Sequence, residues 1–418
     1  MHSSAQTTTS LSFPPPHTKI THPFFQRFST LPHSSWSFVT LPRRKRWPRM
    51  GSNSSITIAA RQKDKLVVII GATGTGKSRL SLDLATGHFP HSQVINSDKM
   101  QVYRGLDITT NKLSLHERRG VPHHLLGEFD SIGSDFTPSQ FRAVAGLTIS
   151  NIVSRGNLPL LVGGSNSFIH ALLAEQFDPM DDVFSGSSSV SRELRYDCLF
   201  LWVDVALPVL CDYLCKRVDD MLDSGMFEEL ARFYDPAKEG YRVGIRKAIG
   251  VPEFDRYFQR YPPWEKEENG GIPDEGSDPA RKEAYEEAVR EIKDNTCRLA
   301  KRQIGKILRL GGAGWDLRKV DATASFRAVM ASDSSEKEDW KDRWEREVME
   351  PSVDIVRRFL ESRFSSRFFL PQSLSKKHTS FVSERVMAPP QSYGGNPFKS
   401  SGRRMAAHRG WIGGGFRL

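Results

Sequence analysis

Cysteine is scarce in this chain of 418 residues, which carries four: Cys198, Cys211, Cys215 and Cys297. None forms a C-x-x-C pair or has a histidine at zinc-ligand spacing, so a zinc finger is excluded and no disulfide framework is implied. Cys211 and Cys215 sit four apart in a helical pattern, as buried or half-buried thiols would. Long apolar runs are missing too. None approaches the ~18 residues that span a bilayer, so no membrane partner is expected. No repeat of solenoid period occurs. Acid is absent from one end: residues 1–63 hold nine Lys/Arg and no Asp or Glu, while residues 363–418 hold ten and one acid, Glu384. The formal charge of +10 therefore belongs to the ends, and the 40 basic and 48 acidic residues between them leave the body near −8. That distribution is weak support for a nucleic-acid surface.

What is present divides the chain into four stretches. Residues 1–63 are rich in Ser, Thr and Pro and carry Arg43-Arg44-Lys45-Arg46. An acid-free, hydroxyl-rich leader reads as an organelle transit peptide, here for a plastid, since its first ~25 residues are poor in Arg. A mitochondrial leader, or a cytoplasmic protein started at Met50, are the alternatives. Residues 64–206 alternate strand and helix patterns: strands Leu66–Ile70, Ser92–Asn96, Leu158–Val162 and Leu199–Val205, with helices over Ser78–Thr86 and Phe168–Ala174. This rhythm predicts an α/β fold, a parallel sheet flanked by helices of the phosphate-loop NTPase kind, with ligands at the carboxyl ends of its strands. Residues 207–362 turn mostly helical, with helices over Leu207–Met221, Glu283–Leu310 and Trp344–Leu360 and a solvated loop over Tyr261–Ala280. They are expected to form a substrate-binding region that also completes the core. Residues 363–418 have no periodicity and read as a disordered basic tail.

Behind the first strand stands Gly71-Ala72-Thr73-Gly74-Thr75-Gly76-Lys77-Ser78, which satisfies G-x-x-x-x-G-K-[ST] at every defined position. Glycines let successive N–H groups converge on one anion, and the following helix adds its positive end. Lys77 reaches an outer phosphate, and Ser78 offers its hydroxyl to Mg²⁺. The plain alternative is an ordinary glycine-rich turn.

The second strand runs into Asn96-Ser97-Asp98. If it lies beside the first, Asp98 emerges at the same sheet edge as the loop, where a carboxylate can ligate Mg²⁺ or act as a base. The strand Leu158–Val162 ends in Gly163-Gly164, where many phosphate-loop ATPases place an aspartate. Glycines there suit close approach of backbone to ligand. The pattern weakens an NTPase reading without removing it.

GATGTGKS, INSDKMQVYRGLDITTNK, VGGSNSFIHALL, GIRKAIGVPEF (Gly244–Phe254) and NTCRLAKRQIGKILRL (Asn295–Leu310) occur in this order. Together they resemble the dimethylallyl (isopentenyl) transferases, and more closely the plant adenylate isopentenyltransferases of cytokinin synthesis, from about Lys65 to Leu360. The resemblance implies transfer of a dimethylallyl group from dimethylallyl diphosphate to the exocyclic amine of ATP or ADP. It makes Asp98 the base, with Thr73 beside the acceptor amine. Thr75, Gly76, Lys77 and Ser78 become ligands of the donor diphosphate and Mg²⁺. Arg246 is a further diphosphate contact, and Lys247 and Lys301 are contacts to the acceptor's phosphates. It also implies that Gly163 and Gly164 shape the floor of the site.

The bare chemistry agrees. Adenine's amine is a poor nucleophile that gains from loss of its proton as the bond forms, and departing diphosphate needs fixed donors. A tRNA acceptor is disfavoured, because no C-terminal zinc finger is present and NTCRLAKRQIGK replaces the tRNA branch's KRQ-x-TW pattern. A small-molecule kinase remains as the other class of activity. A monomer is expected, and whether the donor carries a hydroxyl is left open.

Overall fold

The computed structural model describes residues 63–131, 133–186, 189–238, 240–263, 278–331 and 334–362. Six strands form one parallel sheet: β1 (Lys65–Ile70), β2 (Ser92–Asn96), β3 (His123–His124), β4 (Leu158–Gly163), β5 (Asp197–Asp204) and β6 (Leu317–Asp321), in the order β3-β2-β4-β1-β5-β6. Helices α1 (Lys77–Gly87), α2 (Pro138–Ser154), α3 (Asn166–Leu173), α4 (Leu207–Asp223), α5 (Met226–Phe233), α6 (Val251–Arg260) and α7 (Pro279–Gly312) are interspersed with the strands. After β6 come α8 (Thr323–Met330), α9 (Ser334–Trp344), a π-turn over Glu345–Met349 and α10 (Glu350–Glu361). The expected α/β class and flanked parallel sheet are both present.

The central strand β1 reads KLVVII and is buried on both faces, as a parallel strand covered by helices must be. Its alternate side chains feed two cores. Leu66, Val68 and Ile70 enter one with Phe141, Phe168 and Ile307, while Val67 and Ile69 enter the other with Leu80, Leu214 and Trp344. Helix starts follow local chemistry. Thr137 caps α2, accepting the Gln140 N–H at 3.2 Å while Gln140 Oε1 accepts the Thr137 N–H, and Pro138 fills the first turn. Asp278 caps α7 by accepting the Ala280 N–H at 3.1 Å, ahead of Pro279.

Besides α2, β3, α8 and α9, for which the sequence predicts no element, two features depart from expectation. Strand β2 does not lie beside β1; β4 occupies that place, its Leu160–Gly163 in register with Val67–Ile70. The strand tips still share one edge, because every pairing is parallel. Strand β6, unforeseen in the sequence, closes the far edge of the sheet, burying Val320 while Arg318, Lys319 and Asp321 stay exposed. The C-terminal helices then fold back onto α1. The Arg79 guanidinium lies 4.6 Å from the Trp340 ring centroid, and Trp344 Nε1 donates to Asp83 at 3.1 Å. The leader over 1–62, the loop over 264–277 and the tail after 362 lie outside the described residues, and no membrane-crossing helix occurs among those described.

Candidate active site

The carboxyl ends of β1, β2 and β4 open into a cleft of about 1100 Å³. This is the edge at which parallel sheets collect ligands, and the chain reverses direction across the sheet between β1 and β4. The loop after β1 curls because Gly74 and Gly76 take φ of 80° and 87°, a left-handed region that costs a side-chain-bearing residue dearly. Thr75 is buried, its hydroxyl donating to the Ala72 carbonyl at 3.1 Å, so it braces the loop from inside. Gly71 and Ala72 are buried beneath it. Thr73, Gly74, Gly76, Lys77 and Ser78 line the cleft.

Lys77 is half-buried and donates to the Ala72 carbonyl. Burial lowers its pKa to about 8; the charge of Asp98 opposes that shift and Arg217 adds to it. An anion placed here would restore the lysine's preference for the charged form.

Asp98 faces the same cleft. Its Oδ1 accepts the N–H groups of Met100 at 2.9 Å and Gln101 at 3.3 Å, an Asx turn that fixes the carboxylate's plane. Oδ2 takes no hydrogen bond among the described residues. Asn96 holds the turn from behind: its Oδ1 accepts the Asp98 N–H at 3.1 Å and its Nδ2 donates to the Leu125 carbonyl at 2.8 Å.

A second group of cations stands across the cleft. Lys99, Lys247, Arg302 and Lys306 all line it. Burial lowers the pKa of Lys99, Asp135 opposes this, and Lys247 and Lys306 lower it further. Lys247 is paired with Asp135, which also accepts the Gly244 N–H at 2.8 Å. Burial acts against ionisation of Asp135, yet the hydrogen bonds from Lys247 and Gly244 hold its carboxyl below the usual range.

Besides Gly71, Ala72 and Thr75, which are turned into the loop, two further expected residues do not line the cleft. Residues Gly244–Lys247 form a single 3₁₀ turn that points Arg246 inward and Lys247 outward. Arg246 is 6% exposed, pairs with Asp255 at 3.2 Å and lies 5.2 Å from the Phe233 ring centroid. Its expected contact with a donor diphosphate gives way to an internal ion pair. Lys301 is exposed on α7, while Arg302, Gln303 and Lys306 of the same helix reach the cleft.

Sequence reasoning also passed over residues that the fold brings in. Arg217 of α4 donates to Thr73 Oγ1 at 3.3 Å. Gln303, 7% exposed, accepts the Thr73 N–H at 2.7 Å and donates to the Gly164 carbonyl at 3.0 Å. Gly163 and Gly164 form the floor, and a Cβ on Gly164 would stand 2.6 Å from Gln303 Nε2. Gln303 lay within a motif already singled out, but nothing local says which way it points. The four cysteines are free and partly exposed.

For a metal, the cleft offers the exposed Ser78 hydroxyl, and the described residues contain no cluster of three His, Cys, Asp or Glu able to cage an ion. A sparse, hard-oxygen donor set fits Mg²⁺, which keeps waters and is held mainly by phosphate oxygens.

A family profile described as IPP transferase matches residues 101–194 and 179–305. An adenylate isopentenyltransferase of Humulus lupulus is 63% identical over 302 residues, covering 70% of this chain and 89% of the relative. This chain belongs to the IPP transferase family. A second family member, adenylate isopentenyltransferase 1, chloroplastic, of Arabidopsis thaliana, is 58% identical and covers 72% of this chain and 82% of its own length. Among solved structures, a eukaryotic dimethylallyltransferase acting on tRNA aligns with a TM-score of 0.54 at 23% identity, covering 72% of this chain and 80% of that one. The full-length tRNA isopentenylpyrophosphate transferase of Bacillus halodurans aligns at 0.52 and 24%, covering 73% and 99%. At such identities these two speak for the family's fold alone.

Proposed function

We propose that this chain transfers a dimethylallyl group from dimethylallyl diphosphate to N6 of the adenine in ATP or ADP. The observation that carries this reading is the opposition, in one cleft, of a phosphate-binding loop and an Asp98 carboxylate oxygen that no donor among the described residues occupies. The high identity to adenylate isopentenyltransferases supports the adenine nucleotide as acceptor.

The donor's diphosphate lies on the loop amides and the positive end of α1, with Lys77 on its outer oxygens. Asp98 Oδ2 accepts a proton from the amine as nitrogen bonds to the allylic carbon, and the carbon–oxygen bond to diphosphate breaks. The electron pair leaves with the diphosphate, where fixed loop donors meet charge that develops only in the transition state. Thr73 stands beside the amine. Mg²⁺, held through Ser78 and phosphate oxygens, would supply further charge neutralisation to the leaving group. Lys247, Lys99 and Lys306 suit the acceptor's phosphates, and Lys301 adds long-range attraction only. The chain acts as a monomer in a plastid, the location that the names of several relatives carry.

The decisive assay supplies labelled dimethylallyl diphosphate and Mg²⁺ with ATP, ADP, AMP or tRNA as acceptor. Label in ATP or ADP is the expected outcome. Label in tRNA alone would establish the polymer-modifying activity of the structural neighbours instead. Release of ADP from ATP without any prenyl donor would point to a kinase.

A further inference from the structure

Strands β1 and β4 pair as far as Ile70 and Gly163, and beyond that rung their backbones part. One turns into the phosphate-binding loop, the other into α3. The gap is bridged by a side chain from α7. Gln303 Oε1 accepts the Thr73 N–H at 2.7 Å, and Gln303 Nε2 donates to the Gly164 carbonyl at 3.0 Å. A carboxamide bonded in this sense reproduces a peptide group, so it acts as one extra rung between two diverging strands. Asn166 secures it from beneath by donating to the backbone carbonyls of Gln303 at 3.3 Å and Gly164 at 3.4 Å.

The rung links two halves of the chemistry. On one side is Thr73 at the head of the phosphate-binding loop. On the other, Gly164 leads to Ser165, whose Oγ accepts the Lys99 N–H at 2.8 Å, next to Asp98. Gly163 packs so close to Ser97 that a Cβ there would stand 2.6 Å from the Ser97 carbonyl carbon. The chain of contacts therefore runs from loop to amide to β4 tip to the Asp98 turn with no slack.

The geometry points to Gln303 as a positioning residue that sets the separation between the donor-holding loop and the base Asp98. The role rests on the dimethylallyl-transfer reading of the cleft. Gln303 itself exchanges no proton and bonds no reacting atom. It fixes the distance over which the amine must reach the allylic carbon, and an error of about 1 Å in such a distance costs ~100-fold in rate.

The test measures kcat, KM for both substrates and Tm in the full chain, with active sites counted by stoichiometric binding of labelled donor. In Gln303→Leu, kcat per site should fall about 10- to 100-fold while both KM values stay within about threefold. Gly164→Ala should lose a similar amount, because its Cβ displaces the same amide. The double variant Gly164→Ala/Gln303→Ala should stay within about threefold of Gln303→Ala alone, since the severe clash has lost its partner and only a 3.3 Å approach to the Gly71 carbonyl oxygen remains. A purely structural glutamine would lower Tm or the count of active sites and leave kcat per site within about twofold of the parent, and that result overturns the proposal. So would independent, multiplying losses in the double variant. Should Gln303→Leu fail to fold, Gly164→Ala and the double variant decide the matter. If the parent transfers no label to any acceptor, the functional reading fails and the positioning role falls with it; an active parent with indifferent variants sinks the positioning role alone.

Discussion

Lys77 and Arg246 are both cations drawn below the surface, and both stand in segments that the sequence singles out. Their surroundings differ. Arg246 has its own carboxylate, Asp255, and an aromatic face from Phe233. Lys77 has one backbone carbonyl close by and a pKa lowered to about 8. A buried cation with an internal partner is part of the architecture, because removing either member strands the other. A desolvated cation with no contacting carboxylate is held ready for an anion from outside. Two basic side chains thus serve opposite ends, and the partner tells them apart.

The largest effect expected on the ligand-facing side of this comparison is at Asp98. Asp98→Ala should lower turnover about 10³-fold or more, with donor diphosphate binding by calorimetry nearly unchanged. Full activity in that variant would end the role of Asp98 as base.

Next comes the direct contrast. Lys77→Met should weaken donor binding roughly 10- to 100-fold and leave Tm level or raised, since a desolvated charge is removed. Arg246→Met should do the reverse, costing about 3–5 kcal/mol of stability by chemical denaturation while the folded fraction binds donor normally. Exchanged outcomes would dissolve the distinction drawn here.

The pH dependence sharpens it. Free Lys77 titrates near 8, and bound diphosphate favours its charged form. Donor affinity should therefore be level below pH 8 and fall above it by up to about tenfold per pH unit. Lys77→Met should lose that fall; an identical profile in the variant would assign it to another group. The smallest effects lie at the acceptor side. Lys247→Ala should raise the nucleotide KM severalfold, whereas Lys301→Ala should change it by less than about twofold, as for a solvent-screened charge.

The legible parts of this molecule were those whose signal is local. Strand β1, its loop and α1 could be read directly, because a buried parallel strand is an apolar run and Gly74 and Gly76 are needed wherever the backbone turns left-handed. Asp98 stands at the expected edge because every pairing is parallel, although β2 does not lie beside β1. The insertion of β4 between β1 and β2 could not be read, since pairing order is decided by packing across the whole sheet. Strand β6, LRKVD, is an edge strand whose exposed residues carry no apolar run. The orientation of Arg246 depends on a single 3₁₀ turn, and one residue of rotation exchanges it with Lys247. Gln303 was hidden for a different reason: its partners stand 230 and 139 residues away in sequence.

That distance has a consequence in time. The glycine-rich loop after β1 is translated by residue 78, but the carboxamide that anchors Thr73 arrives 230 residues later and the tryptophan that holds Asp83 arrives 261 residues after it. At about 5–20 residues per second, a ribosome leaves the loop without its brace for on the order of 10–50 s. The nascent chain carries its most recognisable motif early and becomes competent to use it only when nearly the whole body has emerged.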